Sequence, residues 1–163
     1  MYSNGPALRQ LARDECLRLM ASVPVGRIIY TRQALPAVDL VNFTLDRGDI
    51  IIRTDGGGTL AGAARGAVVA FEADSLDPAG LAGWSVTVIG QSSEVTDAVE
   101  ISRLERMGLS SWASGQQQNF IRISPGILSG RQLWRQPDRS PDDTAPRSRP
   151  DRALTPASGR PVR

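Results

Sequence analysis

What most constrains this chain is a succession of short segments rich in β-branched residues, each closed by a turn signal, with no strand–helix–strand rhythm between them. They are VGRIIYT (25–31), AVDLVNFTLD (37–46), DIIIRT (49–54), AVVAFEAD (67–74), GWSVTVIGQSSEVT (83–96), NFIRIS (119–124) and ILSGRQLW (127–134). Runs of this length and composition read as strands. Arg47-Gly48 reads as a hairpin turn between the second and third runs, and Ser124-Pro125-Gly126 as a turn between the last two. In the fifth run Trp84, Val86 and Val88 alternate with Ser85 and Thr87, so one face is apolar and the other polar. Without internal repeats or a βαβ pattern, a doubly wound parallel sheet is disfavoured. A closed or half-closed antiparallel barrel is the economical way to remove strand edges.

Helices are expected at three places. ALRQLARDECLRLMASV (7–23) carries Leu8, Leu11, Cys16, Leu19, Met20 and Val23 at mostly three- and four-residue steps, acids at 14 and 15 near its start, and Pro24 as its stop. TLAGAARG (59–66), after a glycine run, suits a short helix packed close to a sheet. DAVEISRLERMG (97–108) has Asp97 as N-cap, Glu100 as the second half of a capping box and Gly108 as its end.

The chain of 163 residues is one domain's worth, and its composition changes at Arg135. Residues 135–163 hold six of the eleven prolines and carry seven arginines against four aspartates, +3, leaving residues 1–134 with twelve arginines against thirteen acids, −1. A folded body over 1–134 and a disordered tail over 135–163 are expected, because the tail has too little apolar surface to offset its ordering entropy. Its arginines read either as a nucleic-acid-binding arm or as a solvated extension, and the interspersed aspartates favour the extension.

All nineteen basic residues are arginine, and histidine is absent. That excludes Ser-His-Asp and Cys-His machinery, histidine-based zinc sites, lysine Schiff bases and the usual P-loop. No metal site is expected, and any difficult chemistry falls to a bound cofactor. A single cysteine, Cys16, no apolar run near the roughly 18 residues a bilayer span requires, and an N-terminus without a secretory core point to a reduced, cytoplasmic protein that does not enter membranes. With 5% aromatic residues, the core must be aliphatic.

Five segments in order, LARDECLRLMASVPVGRIIYT, LPAVDLVNF, IIIRTDGGGTLAGAARGAVVAFEAD, GWSVTVIGQSSEVTD and FIRISPGILSGRQL, resemble the pyridoxamine 5′-phosphate oxidase-like flavin-binding split-barrel family, particularly its short bacterial members. The resemblance spans about Leu11 to Trp134. It implies a mainly β fold: a split barrel of six to seven antiparallel strands with an N-terminal helix and two further helices. It also implies a homodimer with sites between the subunits, FMN as cofactor (a deazaflavin, FAD or haem in related branches), and two-electron redox chemistry on a small molecule. By the same resemblance Val38, Asp39, Leu40, Val41 and Asn42 lie along the flavin ring and ribityl chain. Arg53, Thr54, Gly57, Gly58 and Thr59 receive the phosphate, and Trp84 and Ser85 contribute from a neighbouring strand or the partner chain. No catalytic side chain is identified.

The glycine run at 56–58 can be read without the family. Such residues let backbone N–H groups approach an anion, a following helix directs its positive end to the same spot, and Arg53 adds a charged donor, although a tight turn explains the glycines equally well. Two positions depart from the family: Thr59 and Asp39 stand where basic residues are common, with Arg53 and Arg65 as the candidates for compensation. This leaves a second reading, a non-catalytic or deazaflavin-binding module with an altered phosphate site. Trp112 and Trp134 read as core or interface anchors, and Trp84 equally as anchor or cofactor wall. Cys16 reads as a buried small hydrophobe, Tyr30 as a packing residue with its hydroxyl at the surface, and Asp142 and Asp143 as solvated tail residues.

Overall fold

A computed structural model describes residues 7–55, 60, 62, 65–79, 82–109 and 118–134. Among the described residues, seven strands and two helices with defined bounds run β1 (Ala7–Gln10), α1 (Arg13–Met20), β2 (Val25–Arg32), β3 (Leu35–Asp46), β4 (Asp49–Asp55), β5 (Val68–Leu76), β6 (Gly83–Val95), α2 (Ala98–Glu105) and β7 (Gln118–Trp134). The strands form one antiparallel sheet in the order β1-β7-β4-β3-β2-β5-β6, and β6 pairs again with β7. Six strands therefore close a ring, and β1 adds to the far half of β7. The expected mainly β, antiparallel split barrel is the fold. Of the further helix expected over 59–66, only residues 60, 62, 65 and 66 are described, with Leu60 and Gly62 helical; Trp112 and the tail beyond Trp134 lie outside the described residues.

Local sequence explains most of the hairpins. Arg47 and Gly48 both have positive φ, 54° and 91°, which lets β3 return as β4 through a two-residue turn whose twist matches the strands. Gln33 and Ala34, at φ 49° and 63°, do the same between β2 and β3. Asp97 caps α2 by accepting from the Glu100 N–H at 2.8 Å. Only that half of the expected capping box forms, because the Glu100 carboxylate turns to Arg122 instead.

Two expectations are corrected. Ala7–Gln10 is a strand rather than the first turns of a helix, pairing antiparallel with Arg131–Trp134. The helix starts at Arg13, where the Glu15 carboxylate reaches back to the Ala12 N–H at 2.9 Å. NFIRIS and ILSGRQLW form one 17-residue strand, not two. Ile89 pairs with Ile127 and Gly90 with Pro125, so Gly126 is an extra residue, and the turn signal marks a bulge. Proline, which has no N–H to give a ladder, is tolerated there.

The barrel interior is aliphatic. Ile28, Phe43, Ile50, Ile52, Phe71, Val86, Val88, Ile121 and Ile123 pack together, with Cys16 and Met20 of α1 closing one side. A side chain at Gly130 would strike Cys16 and Leu11, so glycine is what lets α1 lie against β7. Cys16 is buried, as expected, and burial pushes its thiol up from the ordinary value. A second, smaller cluster lies on the outside of the barrel: Ile51, Val95, Leu104, Leu109 and Phe120, where α2 covers β4, β6 and β7.

Candidate functional site

Strands β3 and β4 carry most of the residues assigned to a cofactor. Phe43 pairs with Ile52, and both face the interior. Because side chains alternate along a strand, Asn42 and Arg53, one step beyond that pair, turn outward, and Thr54 turns inward with Ile52. Outward here does not mean solvated. Arg53 pairs with Phe120, its guanidinium lies 5.9 Å from that ring, and its Nη1 donates to the Leu109 carbonyl at 2.7 Å.

Asn42 is 9% exposed and Thr54 5% exposed. Asn42 Nδ2, Arg53 Nε and Thr54 Oγ1 are buried without a hydrogen-bond partner. Each carries a hydrogen to donate, and a buried donor left unpaired typically costs about 1–3 kcal/mol. Two of them, on Asn42 and Arg53, share the outer face of adjacent strands and mark a place where the fold holds donors in reserve, whereas Thr54 Oγ1 lies on the inward face.

The other assigned residues are distributed around this pair of strands. Val38 and Leu40 lie on the outer face of β3, 59% and 52% exposed, and Val41 faces the core. Asp39 accepts a 2.6 Å hydrogen bond from the Tyr30 hydroxyl. Tyr30 is buried with its hydroxyl engaged, which corrects the expectation of a surface hydroxyl; burial first, and then the Asp39 contact, hold its phenol above the ordinary value. Trp84 packs in the barrel interior, whereas Ser85 lies on the opposite face of β6, between Asp74 and Arg131. Trp134 is 37% exposed at the end of β7. Arg65 is exposed and ion-paired with Glu94 at 2.9 Å. Gly57, Gly58 and Thr59 lie outside the described residues.

An ionic cluster that the sequence reading missed borders the site. Arg103 of α2 grips Asp46 with both terminal nitrogens, at 2.9 and 2.7 Å. Arg122 of β7 reaches Asp46 at 3.1 Å, Asp49 at 2.9 Å and Glu100. The Asp46 side chain is 6% exposed, and the Arg103 contact, joined by Arg122, holds its carboxyl down at about 2. The available signal was Arg122 standing between Ile121 and Ile123, which alternation sends to the outer face; nothing local names its partner. An open cavity of about 360 Å³ also lies between the end of α1 and β3, lined by Met20, Val23, Phe43 and Leu45 among others, and none of the assigned residues lines it.

The profile of the pyridoxamine 5′-phosphate oxidase family matches residues 12–132. The chain belongs to that family. It is 41% identical over 126 residues to the Mycobacterium tuberculosis protein Rv0080, covering 74% of this chain and 82% of that one. A candidate pyridoxamine 5′-phosphate oxidase of Corynebacterium glutamicum superposes with a TM-score of 0.69 at 31% identity, covering 77% of this chain and 98% of the other. An FAD-binding protein of Mycobacterium smegmatis superposes with a TM-score of 0.61 at 29% identity, covering 77% and 98%. Flavin binding therefore recurs among the structural neighbours of this pyridoxamine 5′-phosphate oxidase family member. The two outward unpaired donors, on Asn42 and Arg53, fit such a cofactor, since a flavin nucleotide presents ring carbonyls and phosphate oxygens as acceptors. Asp39 does not fit a phosphate, because a carboxylate repels a dianion.

Proposed function

We propose that this protein is a homodimeric, cytoplasmic flavoprotein that carries out two-electron redox chemistry on a small molecule. The observation that carries the reading is the pair of unpaired donors on the outward-facing Asn42 and Arg53, two positions that the family resemblance assigns to the cofactor. A bound flavin supplies hydride transfer, which needs neither histidine nor lysine from the protein. The side chains of this chain bind and orient: Asn42 gives a neutral hydrogen bond, Arg53 gives the positive charge, and the apolar residues of β3 exclude water from one face.

The dimer is supported by a row on the outer face of the barrel. Val38 pairs with Ile29, Ile29 with Ala70, Ala70 with Ile89 and Ile89 with Ile127, so apolar side chains cross five strands in register. Val38 and Ile127 are 59% and 61% exposed, and a second copy is the occupant we assign to that row.

Asp39 supports a second reading in which the ligand is a deazaflavin or the barrel only binds. A carboxylate buttressed by Tyr30 favours a hydroxyl-bearing tail over a phosphate at that point. An absorbance spectrum of the purified full chain, followed by titration with FMN, FAD and a deazaflavin, separates the readings. Micromolar uptake of FMN or FAD supports the first and deazaflavin uptake alone the second. No uptake of any of them removes the first reading and the deazaflavin form of the second, and leaves only a barrel without flavin chemistry.

A further inference from the structure

The network around Asp46 is built more heavily than attachment of an eight-residue helix requires, and its far end touches the site. Asp46 stands at the β3–β4 hairpin, where it holds Arg103 of α2 and Arg122 of β7. Arg122 in turn engages Glu100 of α2, so the helix is tied at two of its own residues, one acid and one base. Gly108, at φ 70°, turns the chain out of the helix, and Leu109 then packs against Phe120, Ile51 and Leu104. Leu109 presents its carbonyl to Arg53 Nη1 at 2.7 Å, and among the described residues the Phe120 ring is the other contact that orients the guanidinium. A rigid path thus runs from the Asp46 carboxylate through α2 to the arginine whose Nε is left unpaired.

We infer that Asp46 is a positioning residue for cofactor binding: by fixing α2 it fixes the Leu109 carbonyl, and that carbonyl aims Arg53 at the flavin. The inference rests on the flavin reading above and adds its control element, an ion pair between the β3–β4 hairpin and α2 for which no contact with Arg53 is seen among the described residues. Removing the Asp46 charge takes from Arg103 its bidentate partner and leaves Glu100 as the carboxylate that the two guanidinium groups still share. The α2–Leu109 segment then loses its fixed place, and Arg53 loses the acceptor that selects its rotamer. A merely structural role predicts something different, namely that Asp46 changes stability and leaves flavin affinity alone.

The test is a double-mutant cycle on the full chain, with FMN and FAD affinities read by flavin fluorescence and melting temperatures read in parallel. Arg53→Gln is expected to weaken the tighter-binding flavin by roughly tenfold, the scale of one charge-assisted hydrogen bond. Asp46→Asn is expected to weaken it by about threefold to tenfold, and the double variant is expected to bind no more weakly than Arg53→Gln alone, because the two act through one group. Should Asp46→Asn fail to fold, Arg103→Gln, which leaves Arg122 on Asp46, reads the same coupling. Unchanged affinity in Asp46→Asn and Arg103→Gln overturns the inference, as do losses that simply add to that of Arg53→Gln; both leave the flavin reading intact. An Arg53→Gln variant that binds flavin like the wild type overturns the inference and the role of Arg53. Wild-type protein that binds neither flavin overturns the inference and the reading beneath it.

Discussion

The inside of the barrel and the patch of its outside beneath α2 are both buried, but they are built from different material. Inside, aliphatic and aromatic side chains from β2 to β7 meet one another, and the polar groups of the strands are spent in the ladders. Beneath α2, five apolar residues share the space with Asp46, Arg103, Arg122 and Arg53, and two of the three unpaired donors, on Asn42 and Arg53, belong to the same outer face. A close-packed interior specifies a fold and offers a ligand nothing. Polar groups held at a cost without partners are what a site looks like before its ligand arrives.

The sharpest break between the two regions is expected from the interior. Phe71→Ala removes a fully buried ring that packs on Phe43 at a 4.8 Å centroid separation and against Gly26. It should cost about 3–5 kcal/mol by urea denaturation, enough to unfold a marginal domain. Beneath α2 the largest effect is electrostatic. Asp46→Ala takes from Arg103 and Arg122 the more buried of the two carboxylates they share, the other being Glu100, and should cost about 2–3 kcal/mol.

That contribution also has a pH signature. The folded carboxyl of Asp46 sits near 2, below its ordinary 3.8, so the stabilisation is complete above the ordinary value and is lost as pH falls toward 2. An acid-unfolding series should show a shallower loss below pH 4 in Asp46→Ala than in the parent. A smaller change is expected at Tyr30→Phe, about 1 kcal/mol, from losing the bond to Asp39 while the ring stays packed. Smallest, and opposite in sign, Thr54→Val should leave stability unchanged or raise it by up to about 1 kcal/mol, because it deletes an unsatisfied hydroxyl. Because Thr54 faces inward, the same variant should leave flavin binding unchanged. A Thr54→Val protein that is destabilised or binds flavin more weakly would erase the distinction between the two regions.

How much of this was legible follows the same division. The β-branched runs, the Arg47-Gly48 turn, the alternation at Trp84–Val88 and the Asp97 cap are local signals, and the structure honours each of them. What failed depended on partners distant in sequence. Ala7–Gln10 is spaced like a helix, yet its hydrogen-bond partner is the end of β7, more than a hundred residues away. Ser124-Pro125-Gly126 contains turn residues, but continuous pairing of β7 with β6 carries the chain straight through them.

At the site, the family resemblance nominates Asn42, Arg53 and Thr54, and of these only Arg53 is also legible from the residues themselves. They could not show that Arg53 leans on Leu109, that Tyr30 holds Asp39, or that Trp84 faces inward to the core. The Asp46 cluster was illegible for the same reason, since β3, α2 and β7 supply its parts and only tertiary packing brings them together.

The most direct test of the central claim is a proton–nitrogen correlation spectrum of the full chain, titrated with FMN and with FAD and followed at the Asn42 side-chain amide and the Arg53 Nε–H. If these donors are held for a flavin, both signals shift together and saturate with the flavin's own binding curve. Saturable flavin binding that leaves both signals where they were would contradict the account.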